Sequence, residues 1–202
     1  MKFLIAFLVV CNVFYGLDPI AFVTKIRGAV VAVRSGDKSR DLDVESPIYV
    51  KDLIQTASRA VVQLKFLDGS ILNLHPSTSY SIDKYSYGKF LSKEESKSEL
   101  IEGGFKLLTG KIKSDPSRYN IKTPKAVIGI RGTLLEAVLT PDQLSVSCTK
   151  GQVELKNDSG TIVIGEGMAQ YAVVTSYSRR PRIFIAPPTS VVRPIVPPRV
   201  GR

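Results

Sequence analysis

The stretch Lys122-Thr123-Pro124-Lys125-Ala126-Val127-Ile128-Gly129-Ile130-Arg131-Gly132-Thr133 decides the fold class. An apolar run is bracketed by turn-forming pairs and carries one arginine at its end, which reads as a buried strand. Pro124 lacks a backbone donor and pushes Thr123 towards extended geometry, while Gly129 and Gly132 allow close backbone approach or positive φ. Between these glycines, Arg131 could send a five-donor guanidinium to backbone carbonyls or a carboxylate inside the fold, locking strands together. The other reading of Arg131 is recognition of a ligand or partner.

Outward from this stretch the chain is a succession of short β patterns. Residues 60–67 alternate, and Asp68-Gly69 follows where a type I′ turn would close a hairpin onto Ile71-Leu72-Asn73-Leu74. Turn chemistry accounts for Asp68 better than a ligand or acid-catalyst role. Phe22 to Arg34 is rich in β-branched residues and interrupted by Gly28, a long strand with a bend or bulge. Ser92 to Glu99 has mixed charge and no apolar period, so a solvated loop with at most one helical turn is expected. Strand patterns resume at Phe105 to Ile112 and continue in short segments to Val174, separated by turn clusters such as Asn157-Asp158-Ser159-Gly160. Such spacing indicates an all-β sandwich, roll or short solenoid.

The string T-P-x-A-x-x-G-I-R-G-T from Thr123 to Thr133 resembles the signature of the FecR-domain family, an extracytoplasmic sensor domain of Gram-negative bacteria first known from iron-citrate signalling. Two further segments are similar to that family. One is the hydrophobe-x-hydrophobe-x-D-G-S element that contains Asp68 and Gly69. The other holds Asp52, Ile54 and Thr56, but Lys51 stands where the family usually has glycine. The resemblance covers roughly Phe22 to Val174. It implies an elongated β-structure whose hairpins stack as solenoid-like layers, with Thr123, Pro124, Gly129, Arg131, Gly132, Thr133, Asp68 and Gly69 as its structural motif. Signalling members carry a helical anti-sigma region and a membrane helix before this domain. Only some twenty residues precede the first strand here, so the expectation is a stand-alone envelope domain for sensing or protein contact.

The termini differ from this body. Residues 1–16 begin with one positive charge and a short apolar run, the pattern of a secretory signal peptide. Cys11 after Leu8-Val9-Val10 resembles a lipoprotein acylation site, although Val10 replaces the usual small residue. The protein is therefore expected to cross the inner membrane, to the periplasm or cell surface. Residues 175–202 hold six of the twelve prolines and six arginines, Arg179, Arg180, Arg182, Arg193, Arg199 and Arg202, with no acid. This segment is expected to be a disordered or polyproline-like tail. Without these six arginines and Lys2, the net charge of +10 falls to +3, so the basic character belongs to the tail.

Chemistry is sparse in the residues that remain. With the leader removed, Cys148 is alone in an alternating segment and reads as a small buried hydrophobe, which excludes an intramolecular disulfide and a multi-cysteine metal site. His75 is the sole histidine, and no nucleophile can be named for it. Neither a cofactor nor an enzymatic activity is implied. The expected function is a non-enzymatic protein-binding or sensing module of the envelope, with an envelope protein or cell-wall polymer as partner. The alternative is an adhesin-like scaffold tethered by its basic tail to an anionic membrane or envelope surface. Nucleic acid is disfavoured, because secretion removes the opportunity and the last eighteen residues lack aromatics for stacking.

Overall fold

The computed structural model describes residues 18–88, 94–112, 116–166 and 171–184. The regular elements there are all strands: β1 (Ala21–Arg27), β2 (Val30–Arg34), β3 (Arg40–Asp41), β4 (Pro47–Ile48), β5 (Asp52–Thr56), β6 (Val61–Phe66), β7 (Ile71–Leu74) and β8 (Ser79–Ser86). There follow β9 (Glu95–Leu108), β10 (Tyr119–Lys122), β11 (Val127–Leu139), β12 (Leu144–Asn157), β13 (Gly160–Gly165), β14 (Tyr171–Val174) and β15 (Arg182–Phe184).

Three long strands turn one hydrogen-bonded sheet into two layers. Gly103 in β9, Gly132 in β11 and Gly151 in β12 take φ of +82°, +59° and +74°. A Cβ on Gly151 would collide with the carbonyl oxygen of Gly132, so neighbouring bends nest only as glycines. The first half of β9 lies between β8 and β10, and its second half between β7 and β11. One layer thus runs β3-β2-β5-β8-β9-β10-β11-β12-β13 and the other β4-β1-β6-β7-β9-β11-β12-β14-β15. The all-β expectation holds, and the roll or sandwich takes the form of a sheet folded on itself.

Period-two alternation sends one row of each layer inward. Ile82, Ser98, Ile121, Ile128, Leu155 and Ile162 lie side by side across the first layer, all buried. Val23, Leu64, Leu72, Leu107, Leu135 and Cys148 do the same across the second. The layers meet where Tyr80 stands edge-on to Phe105, ring centroids 5.7 Å apart, and where Phe66 lies 5.4 Å from Tyr85. Truncating a central residue such as Leu107 to alanine should therefore cost about 2–5 kcal/mol.

Local readings change in five places. Residues 122–133 are not one strand, because Thr123 to Ala126 form the turn between β10 and β11. The Thr123 hydroxyl accepts from the N–H groups of Lys125 and Ala126 and donates to the Ala126 carbonyl. The stretch from Phe22 to Arg34 is two strands in different layers, the chain crossing over at Gly28, where φ is +80°. The Asp68-Gly69 turn is not type I′: a three-residue loop, Leu67 to Gly69, closes the hairpin and only Gly69 has positive φ there. Ser92 to Glu99 is not wholly a loop, since β9 starts at Glu95 with Ser96 and Ser98 inward. Small hydroxyl side chains suit that face because Tyr119 and Tyr80 need hydrogen-bond partners beside them. Past Val174 the sheet gains β15, paired with β14. The leader, Cys11, Arg193, Arg199 and Arg202 lie outside the described residues.

Candidate functional site

Asp68 and Thr133 are among the sequence-predicted positions that hold the fold. Asp68 is buried, and its carboxylate accepts from the Ser70 N–H at 3.1 Å, the Ser70 hydroxyl at 2.7 Å and the Tyr85 hydroxyl at 3.1 Å. Its carbonyl takes the Lys111 N–H at 2.9 Å, and Ser70 Oγ takes the Gly110 N–H at 2.8 Å. The loop that leaves β9 is thereby pinned to the β6–β7 turn. Burial raises the phenols of Tyr80, Tyr85 and Tyr119 above the ordinary range, which keeps all three neutral donors. Thr133 also acts through its backbone, its N–H donating to Thr109 Oγ1 at 2.8 Å and its carbonyl accepting the Thr109 N–H at 3.0 Å.

Asp52, wholly buried at the start of β5, receives both terminal nitrogens of Arg40 and the Tyr49 N–H at 2.8 Å. The side-chain hydrogen bond to Asp52 raises the Arg40 pKa, desolvation opposes it, and the guanidinium stacks 5.4 Å from the Tyr49 ring centre. Lys51 beside it has φ of +72°, the left-handed conformation that a glycine takes without penalty. The lysine thus occupies a glycine-like backbone position.

Arg131 does not lock strands from within. Its side chain is exposed on β11 and makes no hydrogen bond or ion pair among the described residues. Ile128 and Ile130 take the inward positions of β11, so period-two alternation places Arg131 on the outer face, and the bulge with positive φ at Gly132 begins only after it. The motif glycines are needed for the bend and for close approach: a Cβ on Gly129 would lie 2.7 Å from Pro116 Cβ.

Gly129 leads to an open groove of about 840 Å³ across the outer face of β8 to β12. Lys84, Lys97, Asn120, Gly129 and Glu154 form one cross-strand row of its floor. Lys122 and Lys156 flank Val127 in the next row. Asn120 holds one wall by donating to the carbonyls of Pro116 and Ser117 at 3.3 and 3.2 Å. Five lysines and three carboxylates line the groove. Its open, polar, mixed-charge surface suits another macromolecule better than a small apolar ligand. Sequence reading missed it because residues far apart in the chain meet only through sheet register, though the Glu95, Lys97, Glu99 alternation with serines was a usable sign of β9.

The remaining candidates stay apart from the groove. His75 Nε2 lies 3.6 Å from Glu136 Oε1 on the other layer, both partly exposed, and desolvation lowers the imidazole pKa against the opposing pull of Glu136. Cys148 is buried and its thiol is pushed up to about 11 by desolvation. Arg179, Arg180 and Arg182 line a second shallow groove of about 670 Å³, and Asn157 Nδ2 ties this segment down through the Arg179 carbonyl at 2.6 Å. Among the described residues no group of three or more His, Cys, Asp or Glu could hold a metal.

Against known proteins, a family model described as FecR protein matches residues 52–154, about half of the chain. No curated protein matches. Two crystal structures of a candidate anti-sigma factor from Parabacteroides distasonis ATCC 8503 are similar, at 14% identity with a TM-score of 0.49 and at 16% identity with a TM-score of 0.50. Each match covers 64% of this chain and 57% of the other, so the chain spans little more than half the length of the proteins it matches. At such identity the likeness concerns the fold.

Proposed function

Because this chain belongs to the FecR protein family through residues 52–154, we propose that it is a non-enzymatic sensing module of the bacterial envelope that recognises a protein partner through the groove on β8 to β12. The observation that carries this reading is the placement of the groove. Its floor includes Gly129 of the family signature, and the strands beneath it are held by buried rows, so the surface is presented in one conformation. A partner with mixed charges would meet lysines and carboxylates already arranged in cross-strand rows. The structure matched at a TM-score of 0.50 is described as a candidate anti-sigma factor, which is compatible with a signalling role. An extracytoplasmic setting accords with the sensor role that the family resemblance implies. A cell-wall polymer is the second class of partner, and tethering by the arginines of the tail to an anionic surface has no observation in its favour beyond their charge.

In-cell crosslinking with mass spectrometry tests this reading, with the full chain and a chain ending at Phe184 each washed at low and high salt. A defined protein retained by both chains at high salt is the expected result, since a packed contact resists screening. Loss of association on truncation or in salt would transfer the attachment to the tail and end this reading of the groove.

A further inference from the structure

Sheet edges with unpaired backbone groups invite another strand, and proteins usually blunt them. Three edges here are blunted. β3 and β4 are two residues long, the former Arg40–Asp41 and the latter starting with Pro47, and β15 has three residues and begins with Arg182. β13 is different. Its sequence Gly160-Thr161-Ile162-Val163-Ile164-Gly165 has no charge and no proline, among the described residues it pairs only with β12, and Val163 is exposed.

The direction of its free backbone groups follows from register. Asn157 and Gly160 close a two-residue loop and so form a hydrogen-bonded pair, and at the far end the Glu166 N–H bonds the Gly151 carbonyl at 2.9 Å. Both ends give the same alternation: Ile162 and Ile164 face β12 with their N–H and C=O groups, while Thr161 and Val163 direct theirs away from it. Among the described residues nothing pairs with that side.

We propose that this edge is a self-association site, at which β13 of a second copy of this chain adds antiparallel about a two-fold axis through Ile162. The strand is its own complement in this register. Thr161 faces Val163 of the second copy on the outer side, Ile162 faces its own equivalent on the inner side, and no charge meets charge on the paired strands. About four ladder hydrogen bonds form, and the buried row ending at Ile162 continues into the other molecule. The longest proline-free run of residues 185–202 is the five residues Thr189 to Arg193, which ends in a charge that a second β13 does not bring, and the chain ending at Phe184 separates the two occupants. One added strand buries less than the roughly 1,200 Å² of stable complexes, so the association is weak and concentration-dependent. This inference does not depend on what the groove binds.

Sedimentation velocity over a concentration series up to the millimolar range tests it, with the full chain, Val163→Lys, Val163→Pro and a chain ending at Phe184. Val163→Pro deletes only an N–H directed away from β12, and Val163→Lys brings a charge towards Lys156 of the second copy. The wild-type chain and the shortened chain are expected to dimerise, and both substitutions to weaken this about tenfold or more with the circular dichroism spectrum unchanged. A wild-type chain monomeric throughout, or a dimer indifferent to both substitutions, would overturn the proposal. Dimerisation of the shortened chain alone would also overturn it, because the edge would then be covered by the chain's own C-terminal segment.

Discussion

Asp68 and Tyr85 hold each other across the two layers of the folded sheet: the Tyr85 hydroxyl donates to Asp68 Oδ1 at 3.1 Å and accepts from the Asp68 N–H at 2.8 Å. Asp68 sits in a turn of one layer and Tyr85 on β8 of the other, so this reciprocal pair fixes their separation at one end of the core. Asp68→Ala leaves the Ser70 N–H and hydroxyl and the Tyr85 hydroxyl without their acceptor, and should cost about 3 kcal/mol in urea unfolding. Tyr85→Phe should cost about 1–2 kcal/mol, and the double substitution less than the sum.

Lys51 offers a gain in stability. A left-handed backbone costs an L-residue roughly 1–2 kcal/mol, and glycine loses about 0.5–1 kcal/mol of that advantage through its freer unfolded chain. Lys51→Gly is therefore expected to stabilise the protein by about 0.5–1 kcal/mol. A lower urea midpoint for the variant would show that the lysine side chain does more than its backbone conformation suggests.

The two arginines singled out by position and by structure should behave oppositely. Arg40 covers the carboxylate of Asp52, which is 0% exposed, so Arg40→Ala leaves a buried charge without its partner and should cost about 3 kcal/mol. Arg131 is exposed, and Arg131→Ala should change stability by less than about 0.5 kcal/mol. Thermal melts of the two variants side by side decide this.

His75 should make stability fall on mild acidification. Its folded pKa is lowered from 6.5, chiefly by desolvation, so the unfolded chain binds the proton more readily in the window just below 6.5. The contribution is complete above 6.5 and is lost as pH drops through that window towards the folded value. His75→Gln should flatten the melting temperature between pH 7 and pH 5 relative to wild type, whereas Glu136→Gln, which removes the opposing attraction, should steepen it. Identical pH profiles for wild type and His75→Gln would contradict this assignment.

Fold class was legible where side chains alternate, as in residues 60–67 and 71–74, because period-two burial is a local property. The folding of one sheet into two layers was not, since it depends on Gly132 and Gly151 nesting between β11 and β12 and on Gly103 passing close against Ser77 and Thr78, contacts between segments apart in sequence. Thr123, Gly129 and Asp68 were identifiable, but their physical tasks were only partly so. Asp68 looked sufficient as a turn residue, and its inward carboxylate became apparent only with Tyr85 and Ser70 placed beside it. The strand-locking reading of Arg131 failed because flanking glycines suggested space for a buried guanidinium, whereas Ile128 and Ile130 take the inward positions of β11 and alternation leaves Arg131 outside. Strand β9 was half missed because its inward residues at the start are serines, whose partners are tyrosines on other strands.

The central claim, that the groove over β8 to β12 recognises a protein partner, is tested most directly by reversing its charge while leaving the core untouched. Lys97→Glu, Lys122→Glu and Lys156→Glu together change only outward-facing residues of three strands, so the melting temperature should stay within a few degrees of wild type. In-cell crosslinking of this variant against the wild-type chain should show the defined protein partner lost at unchanged protein level. Retention of that partner by the folded triple variant would contradict the account.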